Sequence, residues 1–129
     1  MLPPSQTTRC SPPPRVLIVD DDRDVRTALA GVLAQEGYVV ETAADGRQAL
    51  AMLRAERPDL ILLDLVLPAM NGFELLAELH REHGACEAKI IVVTSTRGFA
   101  AKDLGVAAVI CKPFDVDRLL GTIKSIVPT

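Results

Sequence analysis

The sequence predicts an α/β fold in which a parallel β-sheet is covered by helices on both faces. Short apolar runs rich in Val, Ile and Leu alternate along the chain with longer amphipathic segments. Most of the apolar runs show no polar alternation, which is typical of a strand whose two faces are both buried. The length of 129 residues suits one domain that buries its own core without disulfides.

The five apolar runs are the predicted strands. In chain order they cover 16–19, 38–42, 60–63, 90–93 and 107–111. Each run is rich in β-branched or other apolar residues and is too short for a helix, which supports a strand over a buried helical segment. Four of them, all but the second, are followed directly by a polar side chain.

Cap and stop residues bound the helices between these runs. The helices are predicted over 22–36 with cap Asp22 and stop Gly37, 45–57 with cap Asp45 and stop Pro58, 71–83 with cap Asn71 and stop Gly84, 98–104 with stop Gly105, and 116–127 with cap Asp115. The second and third also carry a Gln or Glu three residues after the cap, the spacing of a capping box.

Alternating strands and helices imply parallel pairing through right-handed crossovers. The predicted architecture is a three-layer α/β/α sandwich, flavodoxin-like, with a five-stranded parallel sheet of order 2-1-3-4-5. Residues 1–14 are rich in proline and are predicted to form a flexible tail, so the folded domain is expected over 15–129.

Composition excludes several classes of function. A net charge of −3 gives no support for direct nucleic-acid binding or for binding to an anionic membrane. No apolar stretch approaches the roughly 20 residues of a membrane-spanning helix, so no membrane insertion is expected. The three cysteines stand at no metal-binding spacing and no signal peptide is present, which predicts reduced thiols and a cytoplasmic location.

Polar residues follow the strands at the edge where open α/β sheets bind ligands. Asp20 and Asp21 follow the first strand, Asp64 the third, Thr94 the fourth and Lys112 the fifth. Carboxylates held this close repel one another unless a cation neutralises them. Mg²⁺ suits the site because it needs few direct carboxylates and keeps several waters. A lysine and a threonine beside an acidic metal pocket predict phosphoryl transfer to a carboxylate.

Four segments in this order resemble the receiver domain of bacterial two-component response regulators. They are Leu17–Asp22, Asp59–Leu76, Val92–Ser95 and Cys111–Phe114, and the resemblance extends from Arg15 to about Val127. It implies a signalling phosphoacceptor, not an enzyme acting on other molecules. A sensor histidine kinase or a phosphotransfer protein would supply the phosphoryl group, and a downstream protein, which the sequence does not identify, would receive the signal. The resemblance leaves a homodimer open.

The resemblance also implies the metal-binding residues. Asp64 is the expected phosphoacceptor and also one of the expected metal ligands. Asp21 is expected to bind Mg²⁺ directly, and Asp20 to act on it largely through water. The backbone carbonyl of Val66 would complete the share of the coordination that comes from the protein.

The remaining expected roles concern the phosphoryl group. Lys112, expected to precede a cis peptide bond to Pro113, would pair with it, and Thr94 would be the switch hydroxyl. Val109 stands where many receivers have an aromatic residue that rotates inward on activation. The segment between Thr94 and Lys112 is about one helical turn shorter than is common in the family. The chemistry is therefore expected to be kept, with a different readout.

Two other interpretations fit part of the pattern. A phosphatase resembling the haloacid dehalogenase superfamily would use Asp20 as nucleophile and Asp22 as acid/base. That family needs a later acidic pair, and Asp115 and Asp117 fit the start of the last helix better. The other interpretation is a receiver-like module that binds proteins without being phosphorylated, which the intact set of five chemical positions makes less favourable.

Overall fold

The computed structural model describes residues 12–83 and 88–129, and it contains a five-stranded parallel sheet in the order β2-β1-β3-β4-β5. The strands are β1 (Arg15–Val19), β2 (Val39–Ala43), β3 (Leu60–Leu63), β4 (Lys89–Thr94) and β5 (Ala108–Cys111). The helices are α1 (Arg23–Gln35), α2 (Gly46–Ala55), α3 (Gly72–His83), α4 (Ala101–Leu104) and α5 (Val116–Ile126). The predicted fold class and strand order are confirmed. Residues 1–11 of the predicted tail and the predicted stop at Gly84 lie outside the described residues.

The core lies in two layers, one on each face of the sheet. Successive residues of a strand point to opposite faces, so Leu17 and Val19 of β1 belong to one apolar cluster and Val16 and Ile18 to the other. The first cluster is covered by α2, α3 and α4, and the second by α1 and α5. Every residue of β3 is buried, because the central strand has helices on both faces, whereas the edge strand β5 is only half-buried.

The helix caps fall where the sequence places them. The Asp22 carboxylate accepts from the amides of Asp24 and Val25 at 2.9 and 3.3 Å. Asn71 and Glu74 form a complete capping box, each side chain accepting from the backbone amide of the other at 2.9 and 3.2 Å. These bonds satisfy amides that have no partner inside a helix, and they fix where each helix begins.

Some boundaries differ from the prediction. The helix expected over 98–104 begins only at Ala101. Gly98 has a φ of 97°, outside the range of a right-handed helix, and Ala100 is the extended N-cap, with a φ of −95° and a ψ of 147°. The capping box predicted for α2 forms only in part. Asp45 accepts from the Gln48 amide at 2.7 Å, but the Gln48 side chain accepts from the Ala44 amide at 2.8 Å and not from the Asp45 amide. Within the described ranges no helix is long and apolar enough to cross a membrane.

The strand register positions the carboxyl ends of the strands. Val19 pairs with Leu63, so the residues that follow them, Asp20 and Asp64, lie side by side. Thr94 pairs with Cys111, so Lys112 enters the same edge of the sheet one residue later.

Candidate functional site

Three carboxylates meet at the carboxyl edge of the central strands. Asp20, Asp21 and Asp64 each place one oxygen within 4.8 Å of the others. Asp20 and Asp64 are only 3% and 6% exposed, whereas Asp21 is exposed to solvent. Ionised carboxylates this deeply buried need counter-charge and hydrogen bonds.

Lys112 supplies part of that counter-charge. Its Nζ donates to Oδ2 of Asp20 at 2.6 Å and to Oδ2 of Asp64 at 3.0 Å. Burial by itself would lower the pKa of Lys112, but its hydrogen bonds to Asp20 and Asp64 and their charges raise that pKa above the ordinary value. The lysine therefore stays charged at neutral pH. The peptide bond between Lys112 and Pro113 is cis, as the resemblance to receiver domains implies.

Asp20 is held through all of its polar groups. Its amide donates to the Ala43 carbonyl at 3.2 Å, and its Oδ1 accepts from the Asp22 amide at 2.9 Å. Its own carbonyl oxygen accepts from the Arg26 guanidinium at 2.7 Å. Arg26 was not expected from the sequence, since an arginine seven residues after a strand end has no motif that marks it.

Asp64 lies under a loop that packs closely against it. Its amide donates to the Val19 carbonyl at 2.9 Å, and its Oδ1 accepts from the Val66 amide at 3.1 Å. A Cβ on Gly72 would lie 2.5 Å from the Asp64 carbonyl oxygen and 2.6 Å from Leu65 Cα, so only glycine fits there. The Val66 side chain is 59% exposed beside the site.

Thr94 is completely buried at the end of β4, and its hydroxyl accepts from the Thr96 amide at 3.2 Å. The structure thus brings Asp20, Asp21, Asp64 and Lys112 into one cluster. Thr94 lies on the neighbouring strand and is bonded to its own loop.

An aromatic pair connects that loop to α3. Phe99, which follows Thr94 in the chain, packs edge-on against Phe73 in the first turn of α3, with ring centroids 5.3 Å apart and ring planes at 60°. Phe99 and Val109 both pack on the cluster of the first face.

The acidic cluster fits Mg²⁺. All of its donor atoms are carboxylate oxygens, which a hard divalent cation prefers. Lys112 offsets only one of the three negative charges. The cluster of Asp20, Asp21 and Asp64 is the only group of three or more His, Cys, Asp or Glu side chains in the described part of the chain that could hold a metal ion.

The geometry does not favour the haloacid dehalogenase interpretation. The Asp22 side chain, its expected acid/base, caps α1 through Oδ1, which accepts from the Asp24 and Val25 amides. Asp115 likewise caps α5 by accepting from the Asp117 amide at 2.9 Å.

Comparison with known proteins gives one consistent result. The family model for the response regulator receiver domain matches residues 16–124. Sporulation initiation phosphotransferase F of Bacillus subtilis is 36% identical over 118 residues, which is 88% of this chain and 94% of that protein. Response regulator MprA of Mycolicibacterium vanbaalenii is 37% identical over 118 residues, 88% of this chain, which spans only 50% of the length of that protein.

Solved structures agree. Chemotaxis protein CheY4 of Vibrio cholerae superimposes with a TM-score of 0.78 at 33% identity, covering 88% of this chain and 98% of that one. Response regulator TrrA of Thermotoga maritima, solved with Mg²⁺ and BeF, gives a TM-score of 0.77 at 30% identity, with coverage of 88% and 98%.

Proposed function

Since the chain belongs to the response regulator receiver domain family, it is a receiver of two-component signalling, and we propose that Asp64 is the residue that accepts the phosphoryl group. The observation that carries the proposal is the Lys112 ammonium, which bridges Asp20 and Asp64 inside the cluster of three carboxylates. An anionic cluster with one fixed cation suits phosphoryl transfer, in which positioning and charge neutralisation supply most of the rate.

Asp64 is the best acceptor among the three carboxylates. Both oxygens of Asp20 and both oxygens of Asp64 accept hydrogen bonds, but Lys112 holds Asp20 more closely, at 2.6 Å against 3.0 Å, so Asp64 is the more easily released of the two. Asp21 is exposed, and Lys112 bridges the other two carboxylates. Asp64 bonds Lys112 and lies beside the exposed side chain of Val66. A donor would approach Asp64 from solvent on the side of Val66.

The proposed reaction transfers one phosphoryl group. An Asp64 oxygen forms a bond to phosphorus while the bond from phosphorus to the donor breaks, and the electron pair leaves with the donor. Lys112 would bind one phosphoryl oxygen, and the Thr94 hydroxyl would turn from the Thr96 amide toward another. That movement of Thr94 would change the conformation of the loop that follows it.

Mg²⁺ is part of the proposal. Asp20, Asp21, Asp64 and the carbonyl of Val66 would hold it, with Asp20 acting largely through water. When bound, the ion neutralises charge on the acceptor and on the incoming phosphoryl oxygens. The chain's own contribution is to hold the carboxylates together through the backbone hydrogen bonds described above.

The proposal extends to partners. A sensor histidine kinase or a phosphotransfer protein would be the donor, in the cytoplasm, and a protein would read the phosphorylated form. The chain would catalyse only its own phosphorylation and dephosphorylation. Its relatives show that such a domain occurs both as part of a longer protein and as nearly a whole protein. MprA is about twice as long as the matched region, whereas that region covers almost all of sporulation initiation phosphotransferase F.

Incubation with acetyl phosphate tests the proposal. The wild-type chain should gain the mass of one phosphoryl group in the presence of Mg²⁺ and none in EDTA, as measured by intact-mass spectrometry. Asp64→Asn should abolish the gain. Asp24→Asn, which removes an exposed carboxylate of α1, should not. No gain in the wild type would reject the proposal and favour the phosphorylation-independent binding module. A gain that survives in Asp64→Asn would reject Asp64 as the acceptor and place the phosphoryl group on another residue.

A further inference from the structure

A side chain outside the acidic cluster holds the peptide that joins its two adjacent carboxylates. The last bond of the β3 to β1 ladder on this side runs from the Asp64 amide to the Val19 carbonyl at 2.9 Å. The next carbonyl, that of Asp20, lies beyond the ladder. It accepts from Nη1 of Arg26 at 2.7 Å, and this contact is part-buried.

This hydrogen bond fixes a direction as well as a distance. A peptide unit is planar, so holding its carbonyl oxygen fixes the plane that leads from Asp20 into Asp21. Asp20 is also fixed by its amide and by both carboxylate oxygens. On the other side of Asp21, the Asp22 amide also bonds Asp20 Oδ1. The orientation of the Asp20–Asp21 peptide, together with that bond, therefore sets where the exposed Asp21 carboxylate lies relative to the buried pair.

We infer that Arg26 is a positioning residue of the phosphoacceptor site, which orients the Asp20–Asp21 peptide so that both carboxylates face one cation. The inference rests on the proposed function. Arginine suits the task, because its guanidinium stays charged at any working pH and offers several donors in a rigid plane. The positive charge of Arg26 would by itself oppose cation binding, since the guanidinium bonds the backbone of Asp20, a member of the cluster. A net gain from Arg26 must therefore come from the hydrogen bond.

Arg23 provides the matched control. It lies one turn earlier on α1 and is exposed, whereas Arg26 is half-buried. Arg23→Met removes a nearby positive charge and leaves the bond to Asp20 intact. Arg26→Met removes the same charge together with the bond, and Arg26→Lys keeps the charge and one donor group.

The test measures Mg²⁺ affinity in the full chain by following backbone amide shifts in an NMR titration. Loss of a residue that orients a metal ligand typically weakens metal binding about 10–100-fold, so Arg26→Met should raise the Kd for Mg²⁺ about tenfold. Arg26→Lys should recover part of the loss. Arg23→Met should bind Mg²⁺ as well as the wild type or slightly better. Equal Kd values for Arg26→Met and Arg23→Met would overturn the inference.

A second measurement needs neither metal nor phosphoryl transfer. The Asp22 amide lies in the peptide after Asp21 and donates to Asp20 Oδ1, so its hydrogen exchange in EDTA reports how well the turn from Asp20 to Asp22, which contains the Asp20–Asp21 peptide, is held. Exchange at Asp22 should be faster in Arg26→Met and unchanged in Arg23→Met. If the wild type binds no Mg²⁺, the proposed function fails, while this exchange experiment still decides the role of Arg26. Wild-type exchange at Asp22 in Arg26→Met would refute that role.

Discussion

Replacing Lys112 with Met should destabilise the fold, because it leaves two buried carboxylates side by side without their cation. The Asp20 and Asp64 side chains are 4% and 8% exposed, and that of Lys112 is 20% exposed. Removing one partner of a buried ion pair costs about 3–5 kcal/mol. The partial exposure of Lys112 gives water some access to the pair, so we expect a loss of roughly 2–3 kcal/mol in the free energy of unfolding.

Urea unfolding at neutral pH in EDTA measures this loss. Far-UV circular dichroism is the suitable signal, because the chain contains no tryptophan. Lys124→Met is the control: Lys124 pairs with Glu36 at the surface, and an exposed pair of this kind contributes at most about 1 kcal/mol. Added Mg²⁺ should restore part of the stability of Lys112→Met, since any ligand that binds only the folded state stabilises it.

The double variant Asp20→Asn/Lys112→Met separates charge from packing. Removing a carboxylate together with the lysine relieves the repulsion, so the double variant should be more stable than Lys112→Met alone. A loss for Lys112→Met no larger than that for Lys124→Met would refute the reasoning. So would a double variant less stable than Lys112→Met.

Three further outcomes follow from the same geometry. Gly72→Ala should lower the free energy of unfolding in urea by more than about 2 kcal/mol, because the new Cβ would meet backbone atoms. Gly31→Ala in α1, where a Cβ would have no atom within 4 Å, should raise it by about 0.5–1 kcal/mol. A similar effect of both substitutions would contradict this. Val66→Asn should speed loss of the phosphoryl group, followed by intact mass after acetyl phosphate is removed, because an amide can orient water and Val66 cannot; unchanged decay would contradict it. The raised pKa of Lys112 means that its pairing stabilises the fold below its ordinary value of 10.5 and is lost at higher pH; in alkaline urea titrations the wild type should therefore lose more stability than Lys112→Met, and parallel losses would contradict it.

The sheet and most helix starts could be predicted because their causes are local. The wholly apolar β3 requires cover on both faces, and Asp22 needs only the next three residues to cap α1. Prediction fails where two local solutions are close in energy. The Gln48 side chain can reach two neighbouring amides, and it bonds that of Ala44. Gly98 adopts a left-handed φ that shortens α4, although glycine is also compatible with a helix.

The site is predictable as a set of residues but not in its contacts. The strand ends and the family resemblance identify Asp20, Asp21, Asp64 and Lys112. They do not reveal that Lys112 bonds Asp20 more closely than Asp64, since that depends on how the strands twist. The bond from Arg26 depends on how α1 packs against β1, which no short sequence pattern specifies.

The two layers of the core put the proposed switch residue Thr94 on one side of the sheet. Thr94 alternates with Val93 along β4 and therefore points to the same side as Phe99 and Val109. The helices α1 and α5 lie on the opposite side. With Thr94 as the proposed switch hydroxyl, a change at the site would reach the side of Phe99 and Val109 first, so a receiver of this design could change the partner that reads the signal by altering that face while the face of α1 and α5 stays as it is.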